Sequence, residues 1–291
     1  CPTIVVPGPW SQADLDFQAQ QIATHKMQNA GFNCIACQVL VLPRTWGKSA
    51  PLLDKIESVI AKHGRRPAYY PGAADRVAEM KEKAGGARQI DRGGAAPALE
   101  IVDFDSDQDG WSGRNEVFGH ALATKTLPDA DPESYLRAAI DFANTKLYGT
   151  LAANIVIHPN TVKQIGKQNF ERLTGDLKYG LIGVNCWSGV AFIIPTCPWG
   201  GFPGATLDNV GSGVGTVHNA FMLEDTERLV IEAPWCPFPR GILSGQMAML
   251  PKPPWFITNR RQHKIGRLIT RFQYRPSWLK IPAILYNALR G

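Results

Sequence analysis

The feature that most constrains the fold is an alternation of short apolar runs with longer segments of helical spacing. The apolar runs are short enough for buried strands and rich in β-branched residues, whereas the segments between them are long enough for helices. The predicted strands are 3–6, 35–42, 98–102, 152–157, 181–184 and 228–232, and the predicted helices are 13–28, 52–60, 73–84, 131–144 and 160–173. This alternation is typical of a parallel sheet with helices on both faces. We therefore predict a three-layer α/β fold with a mostly parallel sheet.

Composition places the chain among folded proteins. Of its 291 residues, 44% are hydrophobic and 19% are charged, which excludes a disordered chain. No apolar run approaches the roughly 20 residues of a membrane-spanning helix. The six cysteines are too few for a disulfide scaffold of this size, which favours a reducing, cytoplasmic setting. Because the sequence starts at a strand, without Met or a signal-peptide pattern, we expect it to be a fragment of a longer protein.

Charge is distributed unevenly along the chain. The formal net charge is +6, but residues 252–291 contain nine basic residues and no acidic one, and the residues before them contain 22 basic and 25 acidic ones. Gly and Pro become dense from about Cys186 onward, which indicates long irregular segments. The body is therefore mildly acidic, and its last 40 residues form a strongly basic tail.

Cys34 is the candidate nucleophile. It follows Asn29-Ala30-Gly31, which ends a predicted helix, and it precedes a predicted strand, so it lies on a loop that a substrate can reach. A cysteine reacts as the thiolate, whose pKa of about 8.5 nearby backbone N–H groups or cations can lower. The alternative is that Cys34 is a small buried hydrophobic residue.

Four segments around and after Cys34 resemble motifs of the aldehyde dehydrogenase superfamily, in that family's order. The sequence Asn29-Ala30-Gly31-Phe32-Asn33-Cys34-Ile35-Ala36 is similar to its nucleophile loop, although Phe32 stands where Gln is usual. The other three are Glu116-Val117-Phe118-Gly119, the stretch from Phe142 to Ala153, and Gly183-Val184-Asn185 followed by Pro198 to Phe202. The resemblance covers roughly residues 1–205.

This resemblance implies NAD(P)-dependent oxidation of an aldehyde to a carboxylic acid. Cys34 would attack the carbonyl to give a thiohemiacetal and then a thioester, and its backbone N–H would help to hold the oxyanion. Glu116 and Phe118 would contact the nicotinamide end of NAD or NADP, which a domain absent from this chain would mainly bind. The family's general-base Glu would lie just before Cys1. Phe32, Trp187 and Trp199 would line the substrate channel and favour an apolar aldehyde.

We expect three segments along the chain. Residues 1–190 form the nucleophile-bearing α/β catalytic domain, 191–251 a Gly/Pro-rich closing segment that can serve oligomerisation, and 252–291 an irregular C-terminal extension that carries the basic aromatic tail. The resemblance implies a homo-oligomer for the parent protein. The fragment alone should be inactive.

Two other motifs are weaker. Residues 105–116 match the calcium loop of an EF-hand, but a strand-like segment precedes them and Glu116 would serve two functions. Cys34-Ile35-Ala36-Cys37 is a CxxC that runs into a strand and lacks a second ligand pair, so Cys37 is expected to be a packed strand residue. We favour an acidic surface loop and no metal site.

The basic tail is the remaining candidate for a binding function. Its aromatic residues are interleaved with cations, and Arg267, Arg271 and Arg275 recur every four residues, which predicts one helix face. Pro276 and Pro282 should interrupt that helix and leave a short final segment, 283–289. The tail would bind an anionic membrane surface or dock on protein, so the protein would be cytoplasmic or membrane-associated. Nucleic acid is disfavoured because no recognition motif accompanies the charge.

Overall fold

The computed structural model describes residues 1–107, 109–128, 131–218, 222–243, 245–248 and 250–291. The chain divides into two compact units, unit 1 (residues 1–233) and unit 2 (residues 234–291). The division at residues 190 and 251 stays a prediction.

Unit 1 contains the strands and most of the helices. Its described strands are β1 (Pro2–Val5), β2 (Val39–Pro43), β3 (Arg88–Ile90), β4 (Leu99–Asp103), β5 (Ala121–Leu127), β6 (Ala152–Val156), β7 (Leu181–Val184), β8 (Trp199–Gly200), β9 (Thr216–Val217) and β10 (Leu229–Glu232). Its described helices are α1 (Gln12–Met27), α2 (Ser49–His63), α3 (Ala73–Lys83), α4 (Trp111–Arg114), α5 (Pro132–Lys146), α6 (Pro159–Ile165) and α7 (Lys167–Asp176).

One sheet organises unit 1. Its eight strands among the described residues have the order β10-β7-β6-β1-β2-β5-β4-β3, and every pairing is parallel except that of β3 with β4. The central strands are buried along their whole length, as expected when helices flank a sheet. The predicted α/β fold with a mostly parallel sheet is therefore confirmed.

Most of the predicted strands and helices agree with the structure. The strand predicted over 35–42 begins at Val39, because residues 33–36 form a turn closed by the Ala36 N–H on the Asn33 carbonyl at 3.0 Å. The helix predicted over 160–173 is two helices, broken at Gly166, whose φ is +88°. Strands β3, β5, β8 and β9 were not predicted. Ala and Thr dominate β5, and its position between β2 and β4 overrides that modest strand propensity.

Helix α1 leads into the nucleophile loop and has a well-defined start. The Ser11 hydroxyl accepts the N–H of Asp14, and the Asp14 carboxylate accepts the N–H of Ser11 at 2.8 Å, which is a capping box. The capping box therefore fixes the start of the helix that precedes Cys34.

Unit 2 is helical where it is regular. It contains α8 (Arg240–Leu243), α9 (Gln262–Tyr274) and α10 (Ile281–Leu289), with a short 3-10 turn at Trp278–Lys280 between the last two. The prediction that Arg275 shares a helix face with Arg267 and Arg271 is wrong, because α9 ends one residue before it. Pro282 does not interrupt a helix but lies in the first turn of α10, where a missing N–H costs nothing. Across the described residues, no helix has both the length and the apolar character needed to cross a membrane.

Candidate functional site

The loop that carries Cys34 has an unusual backbone. Asn29, Ala30 and Gly31 have φ values of 54°, 60° and 87°, all in the left-handed region. Side chains hold the loop: the Asn29 amide donates to the Phe32 carbonyl at 3.0 Å, and the Asn33 amide donates to the Gln28 carbonyl at 2.7 Å. This turn ends α1 and leaves Cys34 as the one cysteine of the six that is exposed.

The nucleophile loop rests directly on the segment that contains Glu116. A Cβ at Gly31 would lie 2.5 Å from the Gly119 carbonyl oxygen, so the two backbones touch where only glycine fits. Beside this contact the rings of Phe32 and Phe118 lie 5.8 Å apart, and Tyr70 packs against both. Two motifs 80 residues apart in sequence are therefore in contact.

Cys34 and Glu116 share one cavity of about 370 Å³. Its walls come from segments that precede β1, β2 and β6, so it opens at the amino ends of these parallel strands, whereas ligands in open α/β sheets usually bind at the carboxyl ends. The lining residues are Cys1, Cys34, Gln38, Val39, Ser112, Gly113, Arg114, Asn115, Glu116, Leu147, Tyr148, Gly149, Leu151, Gly211 and Ser212.

The electrostatics of the cavity disfavour a thiolate at Cys34. Partial burial raises the pKa of the Cys34 thiol, and the negative charge of Glu116 raises it further. The backbone N–H of Cys34 itself acts in the opposite direction, because it faces the sulfur and lowers the thiol pKa. The thiol is therefore accessible but mainly protonated at neutral pH.

A buried group of titratable side chains lies behind the loop. Lys26 is 1% exposed, and burial lowers its pKa to about 8; no partner among the described residues accepts a hydrogen bond from its Nζ. His25 and His120 are also buried, and burial lowers their pKa values to about 3 and about 4. Burial raises the pKa of Cys37, so this second cysteine of the CxxC is a protonated, inaccessible thiol just before β2.

The calcium-loop residues have other partners. The carboxylate of Asp105 pairs with Lys125, that of Asp107 accepts the backbone N–H of Ser112, and that of Asp109 lies 3.8 Å from Lys83 Nζ. Residue 108 of this motif lies outside the described residues. Strand β4 precedes the loop, as predicted. Among the described residues no group of three or more His, Cys, Asp and Glu side chains could hold a metal ion.

The three predicted channel residues do not line the cavity that contains Cys34. Phe32 is buried in the aromatic cluster with Tyr70 and Phe118, and Trp187 is buried near Ile35 and Gly189. Trp199 is half-buried in the small β8–β9 sheet, 5.0 Å from the ring of Phe192. Phe118 also faces the aromatic cluster and not the cavity.

Of the lining residues, only Cys34 and Glu116 were predicted from the sequence; the others include the polar residues Ser112, Arg114, Tyr148 and Ser212. Ser112 and Arg114 belong to α4. The Tyr148 N–H donates a hydrogen bond to the Gly113 carbonyl at 2.7 Å, which connects this helix to the segment before β6. Ser212 accepts the N–H of Thr150 at 2.7 Å, although 62 residues separate them. The sequence signals were the proximity of Ser112 and Arg114 to Glu116 and the position of Tyr148 in the stretch from Phe142 to Ala153.

The fold of this chain is similar to that of solved aldehyde dehydrogenases. An NADP-dependent glyceraldehyde-3-phosphate dehydrogenase from Bacillus halodurans C-125, solved with NADP, is 20% identical with a TM-score of 0.54, covering 75% of this chain and 42% of the other. A gamma-glutamyl-gamma-aminobutyraldehyde dehydrogenase from Burkholderia cenocepacia J2315 is 21% identical with a TM-score of 0.52, covering 76% of this chain and 43% of the other. An indole-3-acetaldehyde dehydrogenase in complex with NAD+ is 20% identical with a TM-score of 0.51, covering 69% of this chain and 40% of the other.

At these identities the similarity is one of fold. This chain spans about two fifths of the length of the solved structures that it matches. No family model matches the sequence, and no curated protein matches it.

Proposed function

We propose that this chain is part of an NAD(P)-dependent aldehyde dehydrogenase, and that Cys34 is its nucleophile. The observation that carries the proposal is the shared cavity: the one exposed cysteine of the chain faces the same space as Glu116, although 82 positions separate them. Fold and local motifs support the same assignment independently, since the sheet is that of aldehyde dehydrogenases and both residues lie in segments that resemble the family's motifs.

Residues of the cavity fit the nicotinamide end of the cofactor. Glu116 is an exposed carboxylate, which accepts hydrogen bonds as a ribose hydroxyl requires, and the Ser112 hydroxyl is a buried polar group without a partner among the described residues. Most of the contacts to NAD or NADP would come from a domain outside this chain. When bound, the nicotinamide would supply the hydride acceptor.

The remaining chemistry belongs to Cys34 and its loop. Its sulfur would attack the aldehyde carbon to form a thiohemiacetal, and the thioester that follows would be hydrolysed to the acid. In the thiohemiacetal the backbone N–H of Cys34 would donate to the oxyanion, which forms on the former carbonyl oxygen. Because burial and Glu116 raise the thiol pKa, the reaction also needs a general base to remove the proton.

The aromatic residues Phe32, Trp187 and Trp199 do not line the cavity that contains Cys34. In the complete protein they would border an apolar substrate channel that leads to Cys34. The parent protein would be a homo-oligomer. A membrane-surface role for residues 252–291 is a separate proposal, because it rests on a different part of the chain.

The test is reduction of NAD or NADP by the intact parent protein with short, aromatic and long-chain aldehydes. We expect Cys34→Ala to abolish turnover, because the covalent step needs the thiol. Cys197→Ala is the matched control, since Cys197 is half-buried and does not line the cavity, and it should retain wild-type turnover. Turnover that survives Cys34→Ala, or its absence with every aldehyde in the wild type, would contradict the proposal.

A further inference from the structure

Unit 2 carries the net positive charge of the chain, whereas unit 1 is net negative. Residues 234–291 contain ten Lys and Arg and no Asp or Glu, and the last acidic residue of the chain is Glu232. Residues 1–233 contain 21 basic and 25 acidic residues. The boundary of the charge pattern therefore coincides with the structural boundary, which indicates that unit 2 has its own binding role.

Helix α9 separates its apolar and basic residues. Ile265 is buried and Phe272 half-buried, whereas Lys264, Arg267 and Arg271 are exposed. No ion pair to any of these three cations occurs among the described residues, and the sequence of unit 2 offers no carboxylate side chain for one. Their charge is therefore available to an external anion.

Helix α10 and the turn before it carry exposed apolar side chains. The helix Ile281–Leu289 contains no charged residue, and α9 and α10 contact each other, so they form one C-terminal helix pair (residues 262–290). At the turn, Trp278 is 88% and Leu279 is 91% exposed. Three more exposed apolar residues follow on α10: Leu285, Tyr286 and Leu289.

Cations lie beside the exposed rings. The Arg275 guanidinium is 5.6 Å from the ring centre of Tyr274, and that of Arg290 is 5.2 Å from the ring centre of Tyr286. Lys280 Nζ donates to the carbonyl of Arg271 at 2.9 Å, so a third cation lies at the C-terminal end of α9. Apolar insertion groups and positive charges therefore alternate on one helix pair.

We propose that the C-terminal helix pair binds the surface of an anionic lipid bilayer, with Trp278 and Leu279 inserted among the headgroups. Trp, Tyr and Leu prefer the membrane interface, and cations next to them contact acidic lipid headgroups. An acidic protein or a nucleic acid would satisfy the cations. Neither would need two adjacent exposed apolar side chains at a turn together with an uncharged helix, and a lipid surface accounts for both.

The experiment measures binding of the full chain to vesicles by sedimentation. One set is phosphatidylcholine alone, and the other is an equimolar mixture of phosphatidylcholine and phosphatidylserine. We expect binding to the mixed vesicles only, and we expect it to weaken as salt is added, because screening acts on exposed charges. Equal binding to both vesicle types, or to neither, would overturn the proposal.

Two pairs of variants test the apolar and the basic contributions. Trp278→Ser/Leu279→Ser should weaken binding by at least about tenfold, because it removes two side chains that would leave water. Leu207→Ser/Val210→Ser is its matched control, since these residues are similarly exposed but lie in unit 1. It should leave vesicle binding unchanged.

The basic pair is Arg267→Gln/Arg271→Gln, for which we expect a loss of roughly 25-fold, about fivefold for each cation. Lys62→Gln/Arg65→Gln removes two exposed cations of unit 1 and should have little effect. The proposal fails if the control pairs weaken binding as much as the test pairs. It also fails if the Trp278 and Leu279 variant changes the oligomeric state or duplex DNA binding but not vesicle binding.

Discussion

Replacing Gly31 by Ala should show how strongly the structure enforces the nucleophile loop. Gly31 has φ +87°, and its α-carbon faces the Gly119 carbonyl so closely that an added Cβ would lie 2.5 Å from that oxygen. The oxygen belongs to backbone and cannot rotate away as a flexible side chain could. The substitution therefore introduces both a torsional penalty and a steric clash.

The two penalties can be separated with a control. A left-handed backbone costs an L-residue roughly 1–2 kcal/mol, and overpacking a close contact costs roughly 1–3 kcal/mol more. Gly72 has φ +75°, and an added Cβ there would meet nothing within 4 Å, so Gly72→Ala carries the torsional penalty alone. We expect Gly31→Ala to lower the free energy of unfolding by about 2–5 kcal/mol and Gly72→Ala by about 1–2 kcal/mol.

The assay is urea unfolding followed by circular dichroism, with alkylation of Cys34 by iodoacetamide as a second readout. Gly31→Ala should also change the alkylation rate, because the clash displaces the segment that presents Cys34, whereas Gly72→Ala should not. Equal losses of stability in the two variants would refute the reasoning, since they would mean that the contact between Gly31 and Gly119 contributes nothing.

Two further predictions concern charge near the loop. Glu116→Gln should speed alkylation of Cys34 at neutral pH, because it removes a negative charge that raises the thiol pKa; an unchanged rate would exclude that influence. Lys26→Met should stabilise the fold at pH 7 by about 3 kcal/mol, because burial lowers the Lys26 pKa from 10.5 to about 8. Since the unfolded chain binds this proton more tightly, wild-type stability should rise between about pH 8 and pH 10.5, and urea unfolding of Lys26→Met should lack that rise. Lys62→Met is the control, because Lys62 is exposed and its replacement should not produce this stabilisation.

Most strands of the sheet could be predicted from the sequence because they are buried on both faces and therefore appear as continuous apolar runs. Residues 152–156 and 181–184 were predicted almost to the residue for that reason. Strand β5 was missed because Ala121 and Ala123 fill the space where the sheet packs against its neighbours, and small residues give no periodic signal. Gly166 was not recognised as a break because a single glycine inside a helical pattern is often tolerated.

The site was predictable where it is local and not where it is assembled from distant segments. Cys34 could be located from its own loop, since a helix end followed by a strand predicts an accessible turn. The lining by Tyr148 and Ser212 depends on hydrogen bonds between residues far apart in sequence, which no spacing pattern encodes. The separation of Phe32 from the cavity likewise depends on the aromatic cluster that surrounds it.

Two chemical roles for Glu116 predict opposite results for one substitution. If Glu116 were the base for Cys34, Glu116→Gln would slow alkylation, because no carboxylate would remain to remove the thiol proton. If Glu116 instead holds a ribose hydroxyl, its negative charge only raises the pKa of the free Cys34 thiol, and the same substitution speeds alkylation. Faster alkylation would support the ribose role, in which the negative charge of Glu116 only raises the Cys34 pKa. The general base of the proposed reaction must then be a different group, and the sign of one rate change decides between the two assignments.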